Sequence, residues 1–337
     1  MTTSLPTDLS TGLAADLAAD LVTDLATDLA ADWVTDRTPT AEQKALFHQQ
    51  GYLIVKNLLS PEQAAQIVER CDRLFQTQFE TGIYPDEWYG RPGLSQPNAT
   101  RQMTGLWRCD RTLASFTLSS AIARLNATLM GWDSARYGLD TFWAKPPSAP
   151  SLYFHRNSTY VSAIDPPEAP TCWIALSSTT ADTGTADTGT LEIVPGSHRW
   201  PAFTADKVRF LHAPAEDYRT PLWQAAAEAG LAQPSDRPLT VPVELSVGSA
   251  IVLHGNLWHG SGPNYSDSQT RQSLSITTLH GEANYQPPGS GKGYIFDRYR
   301  MINSLELHES FYPVLWRRAD GDRTPFLQAY CQDALAD

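Results

Sequence analysis

Two of the eight histidines in this 337-residue chain stand apart by their setting. His155 closes the β-prone run SLYFH, and His259 lies just past AIVLHGNLW, before the turn-rich GSGPN. Two imidazoles at strand ends in one β core, with a third donor nearby, form the facial arrangement that suits Fe(II) and leaves open positions for a co-substrate and oxygen. Spacing alone does not separate that reading from two ordinary structural histidines.

The elements that must position them are legible around them. From about residue 139, short β-prone runs appear at LDTFWA, SLYFH, TCWIAL, TLEIV, AIVLH and SLSITTL, separated by Pro, Gly, Asp and Ser clusters. Many short strands with turn signals favour a sandwich or barrel over a parallel α/β sheet. Upstream, Thr40 before AEQKALFHQQ reads as a capped short helix, and Gly51 leads into the strand YLIV. Ser60-Pro61-Glu62-Gln63 opens a second helix whose pattern runs through Phe79. Residues 81–105, rich in Gly, Pro and aromatics, read as a long loop, with a helix around 119–130 after it. The expected fold is mainly β with flanking helices packed outside a single β core.

Residues 1–38 are a different material. Leu9, Leu13, Leu17, Leu21, Leu25, Leu29 and Trp33 recur every four residues in an acidic, low-complexity repeat. On a helix of 3.6 residues per turn such a stripe winds around the axis by about 40° per step, so it reads as a flexible or helical appendage without chemistry. The domain proper is expected over 39–337, with a C-terminal helical or loop extension. The tandem ADTGT at 181–190 reads as a lengthened surface loop.

Composition narrows the function classes. A formal net charge of −12 argues against nucleic acid or an anionic membrane as partner. Much of it is local, since Asp8, Asp16, Asp20, Asp24, Asp28, Asp32 and Asp36 precede Arg37, the first basic residue. No apolar run approaches the ~18 residues needed to cross a bilayer, and the N-terminus lacks the pattern of a secretory signal. Cys71, Cys109, Cys172 and Cys331 are scattered without framework spacing, which suits reduced thiols in a cytoplasmic protein.

The sequence around the two histidines resembles the phytanoyl-CoA dioxygenase family. The segments LFHQQGYLIVKNLLSPEQ, WAKPP, FHRN, TCWIALSSTT, GTLEIVPGSHRW and LHGNLWHGSGPNYSDSQTRQSLSI occur in the family's order over about residues 40–280. The resemblance implies a double-stranded β-helix (jelly-roll, cupin-like) core. It also implies a dioxygenase using Fe(II), 2-oxoglutarate and O2, supported in vitro by ascorbate. Carried over by position, His155 and His259 become iron ligands. Arg271, twelve residues past His259, grips the far carboxylate of 2-oxoglutarate, a role that needs a planar, permanently charged fork. Ser261 matches a hydroxyl on the same carboxylate, and Trp173 an aromatic beside it, although a Trp in TCWIAL equally suits a β core. Lys145 in WAKPP either reaches the pocket or lies on the surface before its proline turn. His198 and His254 read as hydrogen-bonded structural residues. Gly196, Gly260 and Gly262 read as turn residues chosen for permissive φ.

One letter departs from the family. Its usual His-x-Asp is here His155-Arg156-Asn157. Asparagine has nearly the shape of aspartate but is neutral, and its amide oxygen is a weaker donor to a hard cation. Four readings stay open: a working ligand through the carbonyl oxygen, an introduced replacement, a halogenase, and a binding module without iron chemistry. Halogenases of this kind carry a small residue there, whereas Asn fills much of the space. The expected substrate is a small metabolite or natural-product intermediate, with an acyl-CoA the weaker choice. The segments 83–89, 105–108 and 294–300 are expected to form lid loops. Arg91, Arg101, Arg108 and Arg111 recognise an anion or simply make surface ion pairs. Oligomeric state is not legible.

Overall fold

The computed structural model describes residues 38–319, except 92, 180–186, 202–211, 214–216, 232–239, 292 and 294, together with 327, 330 and 331. The acidic repeat up to residue 37 and the first copy of the ADTGT pair lie outside the described residues.

The two helix starts read from sequence are present. Helix α1 (Ala41–Gln50) opens on a capping box between Thr40 and Gln43 and ends at Gly51, whose φ of 83° is the left-handed conformation glycine adopts freely. Helix α2 (Pro61–Phe75) opens on the equivalent box of Ser60 and Gln63 with proline in its first turn, and stops four residues short of Phe79. The short helices α3 (Leu106–Cys109) and α4 (Arg111–Thr117) follow, then α5 (Ser120–Met130), ended by a left-handed Gly131. Helix α6 (Thr220–Glu228) lies against the second sheet.

The strands in chain order are β1 (Tyr52–Val55), β2 (Glu87–Tyr89), β3 (Arg101–Thr104), β4 (Ser134–Lys145), β5 (Ser151–His155), β6 (Ile164–Asp165), β7 (Thr171–Ala175) and β8 (Leu191–Ile193). After them come β9 (His212–Ala213), β10 (Val241–Pro242), β11 (Ala250–Leu253), β12 (His259–Ser261), β13 (Arg271–His280), β14 (Asn284–Tyr285) and β15 (Val314–Arg317). The major sheet runs β1-β11-β7-β13-β4-β3-β2, with β15 also on β4; the minor sheet runs β10-β8-β12-β5-β9. Among the described residues every strand pairing in both is antiparallel, as a double-stranded β-helix requires. Residues 81–105 are therefore not one long loop. Their polar and aromatic letters conceal β2 and β3, short strands that extend the major sheet from β4.

The two-residue alternation of the major sheet decides what faces the site. Phe142 of β4, Cys172 and Ile174 of β7, Val252 of β11 and Leu274 and Ile276 of β13 pack outward in one cluster with Ile67 of α2 and Phe116 of α4. Their neighbours Thr141, Trp173, Leu253, Arg271 and Ser275 turn inward and line a cavity. A one-residue slip of β13 would drive Arg271 into the hydrophobic layer, where an unpaired charge costs several kcal/mol. The register is thus strongly determined by this strand alone.

His198 and His254 are structural, as expected. His198 Nε2 is 3.0 Å from the His48 carbonyl, and His254 Nδ1 accepts from the Asn256 N–H at 3.1 Å. Their rings stand 5.0 Å apart beside Gly51, where a Cβ would come within 2.5 Å of His198 Nδ1. Together they seat the entry to β1. All four cysteines are buried and free. Among the described residues no helix is long and apolar enough to cross a membrane.

Candidate active site

The cavity lies between the two sheets and is lined by His155, Asn157, His259, Ser261, Arg271 and Trp173, among others. His155 ends β5 and His259 begins β12, and the two are direct cross-strand partners with ring centroids 4.3 Å apart. The Nδ1 of His155 sits 2.8 Å from the Tyr153 carbonyl, and that of His259 sits 2.9 Å from the Leu257 carbonyl. A carbonyl only accepts, so Nδ1 carries the hydrogen in each ring and Nε2 keeps the lone pair. Burial pushes both pKa values down, His259 to about 3 with His155 as a further cause, so both rings are neutral at physiological pH. Two neutral imidazoles with oriented lone pairs fit a divalent metal.

A bulge makes this arrangement possible. The β5–β12 register shifts between His259 and Ser261, so that Ser261 faces Leu152 rather than Tyr153. Leu152 and His155 therefore both line the cavity, although they stand three positions apart, while Phe154 packs outward with Tyr218 and Trp258. Gly260 belongs to this feature and not to a turn. Its φ is not positive; instead a Cβ there would lie 2.6 Å from Phe154 Cδ2 and 3.0 Å from its Cα. Gly260→Ala is expected to cost about 1–3 kcal/mol in chemical denaturation and to weaken metal binding by displacing His259. An unchanged denaturation midpoint would show that the close approach is not required.

Asn157 opens a 3-10 turn (Asn157–Val161) directly after β5, tied down by the Ser158 N–H donating to the Gly255 carbonyl at 2.9 Å. Its Nδ2 donates to Thr171 Oγ1 at 2.8 Å. Arg156 between the two site residues packs over the Trp258 ring at 5.5 Å. Among the described residues no three His, Cys, Asp or Glu side chains are grouped to hold a metal, so none of these carboxylates replaces the missing aspartate.

Arg271 opens β13 opposite Lys145, the last residue of β4. It is 3% exposed, donates through Nη1 to the Gly189 carbonyl at 2.5 Å, and stacks over Trp173 at 5.7 Å. Its buried Nε has no protein partner. Burial lowers its pKa to about 10, which still leaves it charged at neutral pH. A fork with an unspent buried donor suits a carboxylate.

Lys145 is fully buried, which excludes the surface reading. It sits behind the cavity wall, its Nζ donating to Ser261 Oγ at 3.0 Å and to the Gly262 carbonyl. Burial, with Arg271 beside it, pushes its pKa well below the ordinary range. Because the Lys145 Nζ donates to a lone pair of Ser261, the hydroxyl hydrogen is free to point elsewhere, including at an anion.

Sequence reasoning passed over several contributors. Thr171 and Thr277, cross-strand partners on β7 and β13, line the cavity beside Asn157. The second ADTGT copy is more than loop length: Asp187 Oδ1 accepts from the Gly189 N–H at 2.8 Å and shapes the turn that presents the Gly189 carbonyl to Arg271. None of 83–89, 105–108 and 294–300 contributes to the described lining. Instead Arg108, Arg298 and Tyr299 converge on the Asp86 carboxylate, joining the three segments to one another. Of the four arginines weighed for anion recognition, Arg108 pairs with Asp86 and Arg101 with Asp72, while Arg91 and Arg111 lie over Trp88 and Tyr330.

A family model described as phytanoyl-CoA dioxygenase (PhyH) matches residues 47–273. The chain belongs to the phytanoyl-CoA dioxygenase family. Membership makes it an enzyme of the 2-oxoglutarate- and iron-dependent oxygenases. A relative from Alternaria alternata named dioxygenase ALT11 is 23% identical over 277 residues, covering 78% of each chain. The ectoine dioxygenase of Nocardia farcinica is 26% identical over 234 residues, covering 66% of this chain and 72% of that one. Among solved structures, the epimerase SnoN, crystallised with Fe3+, alpha ketoglutarate and nogalamycin RO, superposes with a TM-score of 0.61. It is 18% identical and covers 81% of this chain and 97% of its own, a likeness of fold.

Proposed function

We propose that this enzyme hydroxylates, or otherwise oxidises, a C–H bond of a small uncharged metabolite or natural-product intermediate. In this reading His155, His259 and Asn157 hold Fe(II), and Arg271 with Ser261 holds the far carboxylate of 2-oxoglutarate, Lys145 orienting the serine. The observation that carries it is one cavity containing two imidazoles with free Nε2 lone pairs and a buried guanidinium with an unspent Nε. Iron, when bound, supplies the redox chemistry that couples decarboxylation of 2-oxoglutarate to succinate with oxidation of the substrate by O2. The chain's own part is positioning and dryness. Trp173, Leu152, Leu191 and Leu253 wall the cavity against water, which strengthens the ion pair at Arg271.

The substrate class follows from the charges. Arg271 is the one permanently charged side chain in the described lining, and the co-substrate occupies it. What remains for the substrate is neutral: Gln102, Thr141, Trp143 and Tyr160. That favours an uncharged molecule over the polyanionic end of an acyl-CoA. The halogenase reading needs room at position 157, and the Asn157 side chain occupies it.

The test is succinate formation from 2-oxoglutarate with Fe(II) and ascorbate, in chloride and in sulfate buffers. Iron-dependent succinate at equal rates in both buffers is the expected result. Chlorinated product in chloride would favour the halogenase, and absence of succinate with 2-oxoglutarate still bound would favour a binding module.

A further inference from the structure

The side chain at position 157 belongs to a small, countable hydrogen-bonded set. Thr171 Oγ1 lies 2.8 Å from Asn157 Nδ2, 2.8 Å from Thr277 Oγ1 and 3.2 Å from the Ala169 carbonyl. Thr171 is 4% and Thr277 8% exposed, so water supplies little here. A threonine hydroxyl has one hydrogen and two lone pairs. The Ala169 carbonyl only accepts, and therefore takes that hydrogen. The two lone pairs then receive an Asn157 N–H and the Thr277 O–H, so that the Thr171 hydroxyl and the Ala169 carbonyl are both satisfied. Turning the carboxamide over breaks this arrangement, because its oxygen and the Ala169 carbonyl would compete for a single hydrogen. A carboxylate has no orientation that avoids the same competition, and a buried acceptor left without a donor is costly.

We propose that Thr171 is a positioning residue that holds the Asn157 carboxamide with its nitrogen on β7 and its oxygen turned to the cavity, so that a neutral side chain at this position is built into the fold. This rests on the proposed role of Asn157 as a metal donor. It also distinguishes a site shaped for asparagine from an aspartate site carrying a replacement.

Two measurements test it, both independent of turnover. The first titrates Co(II) into metal-free protein without 2-oxoglutarate, followed by visible absorbance. Thr171→Val is expected to weaken Co(II) binding by about 10–100-fold, the usual consequence of removing a group that orients a ligand, while Thr171→Ser restores it. The second is the melting midpoint of the chelator-treated proteins, which shows whether each variant is folded. There Asn157→Asp is expected to melt lower than the unaltered chain. Equal Co(II) affinity for a folded Thr171→Val, or failure of Thr171→Ser to restore it, overturns the positioning role. An Asn157→Asp midpoint equal to or above that of the unaltered chain overturns the fit to asparagine. Absence of Co(II) binding by the unaltered protein overturns the metal role of the site, and this inference with it.

Discussion

Replacing Arg271 with methionine is expected to raise the 2-oxoglutarate concentration for half-maximal succinate formation by about 100-fold or more, because breaking a buried charge pair costs about 3–5 kcal/mol. The guanidinium is almost wholly buried, and its Nη1 is already committed to the Gly189 carbonyl. Its unpartnered Nε and its position over Trp173 leave it ready to receive an anion. Without it, a carboxylate entering the cavity would be desolvated with only Ser261 at hand. Lysine should rescue poorly, since a point charge does not reproduce the fork. Metal binding should persist. The melting midpoint of the metal-free variant should hold or rise, because the change removes a buried cation whose charge has no ion-paired carboxylate among the described residues of the metal-free site. Unchanged 2-oxoglutarate dependence would remove Arg271 from the co-substrate site.

His259→Ala should bring bound iron from near one per chain to less than about a tenth of that, measured after anaerobic desalting. Loss of one of two imidazoles leaves too few strong donors for a site that lacks a carboxylate. The stability cost should be modest. With its pKa near 3 the ring is uncharged at pH 7, so its removal strands only the Leu257 carbonyl, at about 1–3 kcal/mol. Iron retained at the unaltered level would mean the metal sits elsewhere.

These expectations rest on residues of very different legibility. The helix caps at Thr40 and Ser60 and the strands carrying His155, Trp173 and Arg271 could be read locally, since a capping box or an alternating run needs no distant partner. Where β2 and β3 lie, the sequence misled: Gly, Pro and aromatic letters signal a loop, and only the edge of β4 makes these residues strands. Which partners the arginines take was hidden for a similar reason. Whether Arg108 is available depends on Asp86, which the fold brings to it from 22 residues away.

What the sequence determined by itself was the candidate set on which the proposed function rests: two imidazoles, an amide in place of a carboxylate, a hydroxyl and a guanidinium, spaced as the family spaces them. Side-chain chemistry is a property of each letter, so it survives without coordinates. Tertiary structure alone decided the rest. The β5–β12 bulge turns Leu152 and His155 to one face, the β4–β13 register sets Lys145 behind Ser261, and β7 against β13 brings Thr171 and Thr277 to Asn157. The Lys145–Ser261 and Thr171–Thr277 contacts join residues 116 and 106 positions apart, and no local pattern encodes a register between strands that far separated.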